Sequence, residues 1–313
     1  MDVILLLLGV AVVIFLWIAL MDTTRFETTE YVVTDPRIRK DFRAVVLADL
    51  HNKQFGRENE VLLQAIEDGK PDLVLIAGDM LTAKPGKDFQ VALDLTGRLA
   101  EKYPVCYGMG NHEHRLCLYR NVYGDAGRRY EKALKELGVR QMHNERRIFD
   151  DYGITVVGAQ IHHRYYQRRH KNPMKGSYLE RTLGAPDAER FTVLLAHNPD
   201  YFPEYASWGA DLVLSGHVHG GVVRIPFWNK GLISPSMRFF PKYDGGLFEE
   251  GNSRMILSRG LGCHTIPVRL FNPGDLIFLT FQPGNETRIG KRTAISKGEN
   301  KKTTRKKNRD MIK

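Results

Sequence analysis

Cysteine is scarce: Cys106, Cys117 and Cys263 are the only three in 313 residues, and no two stand in a CxxC pair. That count excludes a disulfide framework and a zinc ribbon, and an odd number argues against a required bridge in any compartment. Cys106 lies in an apolar run and reads as a small buried hydrophobe. Internal repeats are also absent. Charge is missing from Val3 to Leu20, an eighteen-residue apolar run with Trp17 near its end. It is long enough to cross most of a bilayer, and a run with no amphipathic face does not suit a core helix. No Lys or Arg precedes it, and Ile18 to Thr23 offers no small-x-small cleavage site. Residues 1–21 are therefore expected to be a retained transmembrane signal anchor rather than a cleaved signal peptide. Arg25, Arg37, Arg39 and Lys40 beyond the span favour a cytoplasmic domain, whereas Asp2, Asp22, Glu27 and Glu30 blur that bias, so sidedness stays open.

The body of the chain lacks strong charge of either sign. Of the net +10, residues 286–313 hold eleven Lys or Arg against Glu286, Glu299 and Asp310, which is +8 and leaves the body at +2. A basic, weakly hydrophobic tail of this kind is expected to be disordered, with anionic lipid or cell-wall polymer as candidate partners or a merely solubilising role. The near-neutral body has no broad basic face, which disfavours nucleic acid.

What is present is a series of short Val-, Ile- and Leu-rich runs. Ala44 to Ala48, Leu73 to Ala77, Val193 to Ala196 and Leu212 to Leu214 read as buried strands. Residues 22–41 read as a lead-in linker with alternating Tyr31 and Val33 and a turn at Asp35-Pro36, and residues 42–285 as one domain. Between the first two runs, Val61, Leu62, Ala65 and Ile66 share one helical face, stopped by Gly69-Lys70-Pro71. Such a strand, helix, strand unit implies parallel pairing, with both following loops at one sheet edge. Further helices are expected at Asp88 to Ala100 and Ala126 to Leu137, with strands at Ile154 to Gly158 and Phe191 to Ala196. Beyond His219, short strands including Met255 to Ser258 and Asp275 to Phe281 predict an antiparallel sheet. The sum is two packed sheets with helices outside.

Polar motifs follow these runs in order: Asp49-Leu-His51, Gly78-Asp79, Gly110-Asn111-His112-Glu113, Ala196-His197-Asn198 and Gly216-His217-Val218-His219. Loops past the ends of several such strands fall on one rim of an α/β sheet. Asp49 and His51, two apart on an extended segment, point the same way and can reach one cation. The Asp79 carboxylate can bridge two metals, and Asn111, His197, His217 and His219 add neutral oxygen and imidazole donors suited to manganese, iron or zinc. Any one of these side chains could be a satisfied core polar group or a helix cap. Seven ligand types in this order and strand context are not explained that way.

At this point the chain resembles the calcineurin-like metallophosphoesterase superfamily, whose signature D-x-H, G-D, G-N-H-D/E, H and G-H-x-H is matched between residues 49 and 221. The resemblance implies an α/β fold, a four-layer α/β/β/α sandwich with two mixed sheets, and a metal-dependent phosphohydrolase. It also implies two divalent or trivalent metal ions, manganese foremost with iron or zinc as alternatives. Asp49, His51, Asp79 and His219 would hold one ion and Asp79, Asn111, His197 and His217 the other, with Asp79 bridging. Two cations roughly 3.5–4 Å apart activate a shared water and clamp phosphate oxygens, so a bridging hydroxide would attack a phosphomonoester or phosphodiester. His112, which resembles the family's non-ligand histidine, is the candidate for protonating the leaving oxygen, with Glu113 orienting its ring.

Asn52 and Arg259 are candidates for contacting substrate phosphate, although Arg259 fits a structural salt bridge equally well. Asn198-Pro199, Tyr243 to Leu247, Ser258 to Gly262 and Arg269 to Pro273 also resemble a bacterial branch of the family that is membrane-tethered or exported. A basic and aromatic cluster, His162, His163, Arg164, Tyr165, Tyr166, Arg168, Arg169 and His170, either lines the site or is a solvated loop; His264 is a further candidate near Arg259. The resulting expectation is a membrane-anchored phosphoesterase acting on a small or lipid-linked phosphoester. One competing reading is a nuclease that grips its substrate with the tail and the Arg-rich loop. The other is a non-catalytic metal-stabilised scaffold, against which a ligand set without cysteine speaks.

Overall fold

Runs that are apolar at every position fold into strands covered on both faces. In the first of them Val45 and Leu47 face one core while Ala44, Val46 and Ala48 face another; Val74 and Ile76 part from Leu73, Leu75 and Ala77 in the same way. A computed structural model describes residues 2–167, 171–228, 230–233, 239–263 and 268–292. Its strands are β1 (Phe26–Asp35), β2 (Phe42–Leu47), β3 (Leu73–Ile76), β4 (Val105–Tyr107), β5 (Arg140–Gln141), β6 (Arg146–Phe149), β7 (Ile154–Gly158), β8 (Phe191–Leu195), β9 (Leu212–Ser215), β10 (Val223–Ile225), β11 (Lys230–Ile233), β12 (Gly246–Glu250), β13 (Ser253–Leu257), β14 (Gly274–Pro283) and β15 (Arg288–Lys291). The helices are α1 (Asp2–Thr24), α2 (Glu60–Asp68), α3 (Gln90–Ala100), α4 (Asn111–Leu118), α5 (Arg120–Tyr123), α6 (Ala126–Glu136), α7 (Ser177–Leu183) and α8 (Phe202–Trp208).

Seven strands form one sheet in the order β15-β1-β14-β2-β3-β4-β5, and six form a second, β12-β13-β9-β8-β7-β6. The sheets pack face to face through Val33, Val46, Leu75, Val193, Leu214 and Ile277, all essentially inaccessible. Helices α2, α3 and α6 cover the outer face of the first sheet with Leu62, Ile66, Leu95, Leu99 and Leu134, and α7 and α8 cover the second with Leu179, Leu183, Phe202 and Tyr205. The result is a four-layer α/β/β/α sandwich of two mixed sheets. Each such buried aliphatic side chain contributes about 1.5–3 kcal/mol of transfer free energy.

Strands β2, β3, β4 and β5 run parallel, as do β7, β8, β9 and β13. The carboxyl ends of the central strands of both sheets therefore open on one rim, where each polar motif begins.

Three segments differ from the sequence reading. The lead-in at 22–41 is largely strand β1, paired along its whole length with β14 in parallel register from Phe26 against Gly274 to Asp35 against Pro283. Its partner is some 250 residues away, so nothing local marks it as sheet. Beyond His219 only β10 and β11, among the described residues, pair as a separate antiparallel ribbon; β13 joins β9 in parallel and β14 sits between β1 and β2. The start of the basic tail is also ordered, since β15 pairs antiparallel with β1. Residues 293–313, with most of the tail's charge, lie outside the described residues, as do Arg168, Arg169, His170 and His264.

Helix α1 is long and apolar enough to cross a membrane from Val3 to Thr24, and none of its most apolar eighteen-residue window is buried against the domain. Its last turn is fixed to the fold. Asp22 accepts from the backbone N–H of Asn272 at 3.0 Å and pairs with Arg25 at 2.9 Å, while the Thr23 hydroxyl accepts from Arg269 N–H at 3.1 Å.

Candidate metal centre

The rim loops are built on one another. Past the ends of β2 and β3, Asp49 N–H donates to Gly78 O at 2.9 Å, His51 N–H to Asp79 O at 3.1 Å and Asn52 N–H to Met80 O at 3.0 Å. Asp49 and His51 do not share a face by strand alternation as expected. Both have left-handed backbone, φ 51° and 50°, and so do Asp79 (56°), His217 (78°) and His219 (53°). The side chains converge because the chain turns sharply at each of these positions. Close approach of the loops explains two glycines: a Cβ on Gly110 would lie 2.1 Å from Asp79 Oδ1, and one on Gly216 would lie 2.4 Å from Asp49 Oδ2.

The ligand-type atoms meet in overlapping groups, Asp49, His51 and His219; His51, Asp79 and His112; Asp79, His197 and His217. His51 Nε2 is 3.3 Å from His219 Nε2, His219 Nε2 is 3.5 Å from Asp49 Oδ1, and His197 Nε2 is 3.0 Å from Asp79 Oδ2. Backbone carbonyls fix the rings. His197 Nδ1 donates to Ala77 O at 2.6 Å, His219 Nδ1 to Gly262 O at 3.1 Å and His51 Nδ1 to Leu81 O at 3.2 Å. In a neutral ring so held, Nε2 carries the lone pair and is turned to the centre, as in a metal-binding histidine oriented through its other nitrogen. His217 is held by its backbone N–H, which donates to both Asp49 oxygens at 3.1 and 2.9 Å.

The residues fit a cation. His197 Nε2 and Asn111 Oδ1 are buried without a satisfied hydrogen bond, and His197 Nε2 stands 3.0 Å from Asp79 Oδ2. An orphaned imidazole nitrogen beside a carboxylate oxygen is the spacing of two donors around one ion. Electrostatics agree. Burial would lower His197, yet the Asp79 and Asp49 carboxylates outweigh it and push the ring up to about 10. Burial would raise Asp49, but the neighbouring imidazoles of His219, His51 and His197 hold its carboxyl far below the usual range. The cluster calls for positive charge at its centre. Carboxylate, imidazole and amide donors together suit manganese, iron or zinc.

Glu113 and His112 differ from their expected pairing. Glu113 does not touch the His112 ring. Its Oε2 accepts from Asp79 N–H at 3.0 Å and Gly110 N–H at 3.1 Å, and its Oε1 from Met80 N–H at 2.8 Å and the Tyr107 hydroxyl at 2.8 Å. Burial and the Asp79 carboxylate push Glu113 up to about 7. It is a scaffold for the Asp79 turn. The His112 ring is oriented by Ala83, whose N–H donates to Nδ1 at 2.9 Å, while His112 N–H donates to Asp79 Oδ1 at 2.8 Å. With Nδ1 accepting, the proton of the neutral ring sits on Nε2.

The two substrate candidates are otherwise engaged. Arg259 is mostly buried and pairs with Asp275 at 3.2 Å and Glu27 at 3.7 Å, so the salt-bridge reading holds in this structure. Asn52 donates from Nδ2 to Asp88 O at 3.0 Å, leaving its buried Oδ1 without a partner. The cluster at 162–170 divides: the Tyr166 ring lies 5.4 Å from His217 and 6.3 Å from His197, whereas Arg164 is exposed and bonds the Tyr165 hydroxyl. Asn272 entered the sequence reading only within the stretch Arg269 to Pro273, with no site role. Its Nδ2 donates to His219 O at 2.8 Å and Gly221 O at 2.6 Å, shaping the last ligand loop.

Comparison with known proteins gives the following. A family model described as calcineurin-like phosphoesterase matches residues 42–221. The chain is 25% identical over 280 residues to the metallophosphoesterase YkuE of Bacillus subtilis (strain 168), covering 83% of this chain and 86% of that protein. It is 26% identical over 228 residues to the phosphodiesterase YaeI of Escherichia coli (strain K12), covering 71% and 75%. Three further bacterial relatives are longer, and the chain spans 61% or 62% of their length. Among solved structures, an NAD nucleotidase of Haemophilus influenzae aligns at 14% identity with a TM-score of 0.42, over 70% of this chain and 45% of that one.

Proposed function

Because this chain belongs to the calcineurin-like phosphoesterase family, we propose that it is a membrane-anchored phosphohydrolase with a two-metal centre, acting on a phosphodiester or phosphomonoester. The observation that carries the proposal is the sharing of Asp79 between two donor groups, one with His51 and His112 and one with His197 and His217, beside the Asp49, His51 and His219 group. One ion would be held by Asp49, His51, Asp79 and His219, and a second by Asp79, Asn111, His197 and His217. When bound, such a metal pair supplies a water acidic enough to ionise near neutral pH and a clamp for the phosphate oxygens. The chain's own residues do the rest. His51, His197 and His219 present lone pairs because their Nδ1 protons are spent on carbonyls. His112 carries its neutral-ring proton on Nε2, where it can bind a phosphate oxygen and pass that proton to the leaving group. Tyr166 closes the His197 and His217 side with an aromatic wall.

The Escherichia coli relative is named a phosphodiesterase, which supports trying diesters first. The test is hydrolysis of bis(p-nitrophenyl) phosphate and p-nitrophenyl phosphate by the full chain in detergent, reconstituted with manganese, iron or zinc, with metal counted per chain. Two ions per chain and turnover that disappears in Asp79→Asn are expected. A single bound ion, or equal turnover in Asp79→Asn, would overturn the two-metal reading.

A further inference from the structure

The ligand loop ending in His219 runs straight into a small two-stranded ribbon, β10 and β11, and this ribbon is where the domain exposes its aromatic surface. Phe227 and Trp228 form its tip, Phe227 fully exposed, and Phe239 and Phe240 return along its far side. Among the described residues, every exposed Phe or Trp outside α1 belongs to this group. Single exposed hydrophobes are ordinary, but four large aromatic rings on one short ribbon are not.

Its hydrogen bonds say what lies beside it. Arg224 N–H donates to Leu270 O at 3.0 Å and Leu270 N–H to Val222 O at 3.2 Å; Phe240 N–H donates to Leu232 O at 3.0 Å. The segment around Leu270 is the one that fixes the end of α1, through Arg269 on Thr23 and Asn272 on Asp22. Phe271 in addition meets Phe15 edge to face at 6.0 Å. Phe15 is seven residues up the helix from Asp22, about 10 Å along its axis. The loop that holds the ribbon therefore already lies alongside the apolar part of the span, and Val268 in it is exposed as well. Exposed Lys230 stands just past the aromatic tip. Tryptophan, phenylalanine and lysine at the end of an apolar helix are the composition of a membrane interface.

We infer that the β10–β11 ribbon, with Phe227, Trp228, Phe239 and Phe240, is a second membrane contact that seats in the lipid interface beside α1 and holds the His219 side of the metal centre at the bilayer surface. The inference rests on the membrane-anchored reading of α1. The occupant it commits to is the headgroup and upper-chain region of a lipid leaflet. Such seating favours a phosphoester whose lipid chains stay in the leaflet while its phosphate reaches the site.

The test uses the full chain in vesicles of phosphatidylcholine and phosphatidylglycerol, with and without lipids brominated high on the acyl chains. The emission of Trp228 is the difference between the native chain and Trp228→Phe, which retains Trp17 and Trp208. A blue-shifted Trp228 component strongly quenched by bromolipid is expected. A component that emits as in water, or one shielded from soluble acrylamide yet untouched by bromolipid, overturns the proposal, the latter pointing to a second copy of the chain or another protein on the ribbon. Carbonate extraction separates the two readings. A chain released by carbonate refutes the anchor, whereas a retained chain with unquenched Trp228 refutes the ribbon contact alone. In parallel, Phe227→Ser combined with Phe239→Ser in the full chain should reduce the bromolipid quenching of Trp228; unchanged quenching counts against the ribbon contact.

Discussion

Replacing Glu113 by glutamine should cost stability before it costs chemistry. The carboxylate accepts four hydrogen bonds, from Asp79, Met80 and Gly110 N–H and from the Tyr107 hydroxyl. A glutamine can place its NH2 on either side. At the Oε2 position it would face two backbone donors, Asp79 and Gly110. At the Oε1 position it faces only Met80 N–H, because the Tyr107 hydroxyl can turn toward Tyr130 at 2.8 Å and accept instead. The second orientation wins and leaves one buried backbone N–H unpaired, a cost of about 1–3 kcal/mol. Glu113→Ala leaves three such groups, about 3–9 kcal/mol on the same scale, which rivals the whole stability of an ordinary domain. Urea unfolding of both variants, alongside metal content and turnover, checks this ordering. Glu113→Gln should unfold at lower urea and bind less metal while each metal-loaded molecule turns over normally. A Glu113→Gln chain of native stability and full metal content but no turnover would refute the scaffold role and return Glu113 to the chemistry.

Other outcomes follow from the same geometry. His112→Ala should keep its metal, because it is the backbone N–H of His112 that holds Asp79, and should lose about 10²–10⁴-fold in turnover; metal per chain and kcat measured together decide it, and near-native kcat removes the acid role. At the opposite end of the sandwich, burial would raise the Asp35 carboxyl, but Arg37 and the Thr287 hydroxyl outweigh it and hold it below its usual value. A carboxyl lowered in the folded state gives stability that is present above its unfolded pKa and fades as pH falls through the folded one. Arg37→Met should therefore lower Tm at pH 7, with the gap to the native chain closing below about pH 4; a gap that stays constant down to pH 3 would show that Asp35 is not its source.

What the sequence revealed and what it hid divide along a physical line. The runs Ala44 to Ala48 and Leu73 to Ala77 were legible because burial on both faces forces apolar residues at every position. The candidate ligands were legible because metal chemistry demands particular side chains in particular loops. Strand β1 was not, since FETTEYVVTD pairs with a strand at the far end of the chain and its first half, with Glu27 and Thr28 exposed, reads as polar linker. Glu113 was placed beside the correct histidine and given the wrong partner, because its true partners are backbone N–H groups, which every residue carries. The same holds for the carbonyls of Ala77, Leu81 and Gly262 that orient the rings. Arg259 looked available in sequence and is spent on Asp275, sixteen residues on.

The left-handed backbone at Asp49, His51, Asn52, Asp79, His217 and His219 has an energetic consequence for the protein as a whole. For a residue with a Cβ that conformation costs about 1–2 kcal/mol. Asp49, Asn52 and Asp79 adopt it more readily, so the three histidines carry most of the cost, roughly 3–6 kcal/mol, a large part of the net stability of a domain. The surrounding sheets must hold that strain, and a cation held between the Asp49 and Asp79 carboxylates would offset their charge without releasing the backbone. Loading of the centre and folding of the rim are thus one linked equilibrium, and the loops that carry the ligands are the part of this sandwich expected to open first when the metal is withdrawn.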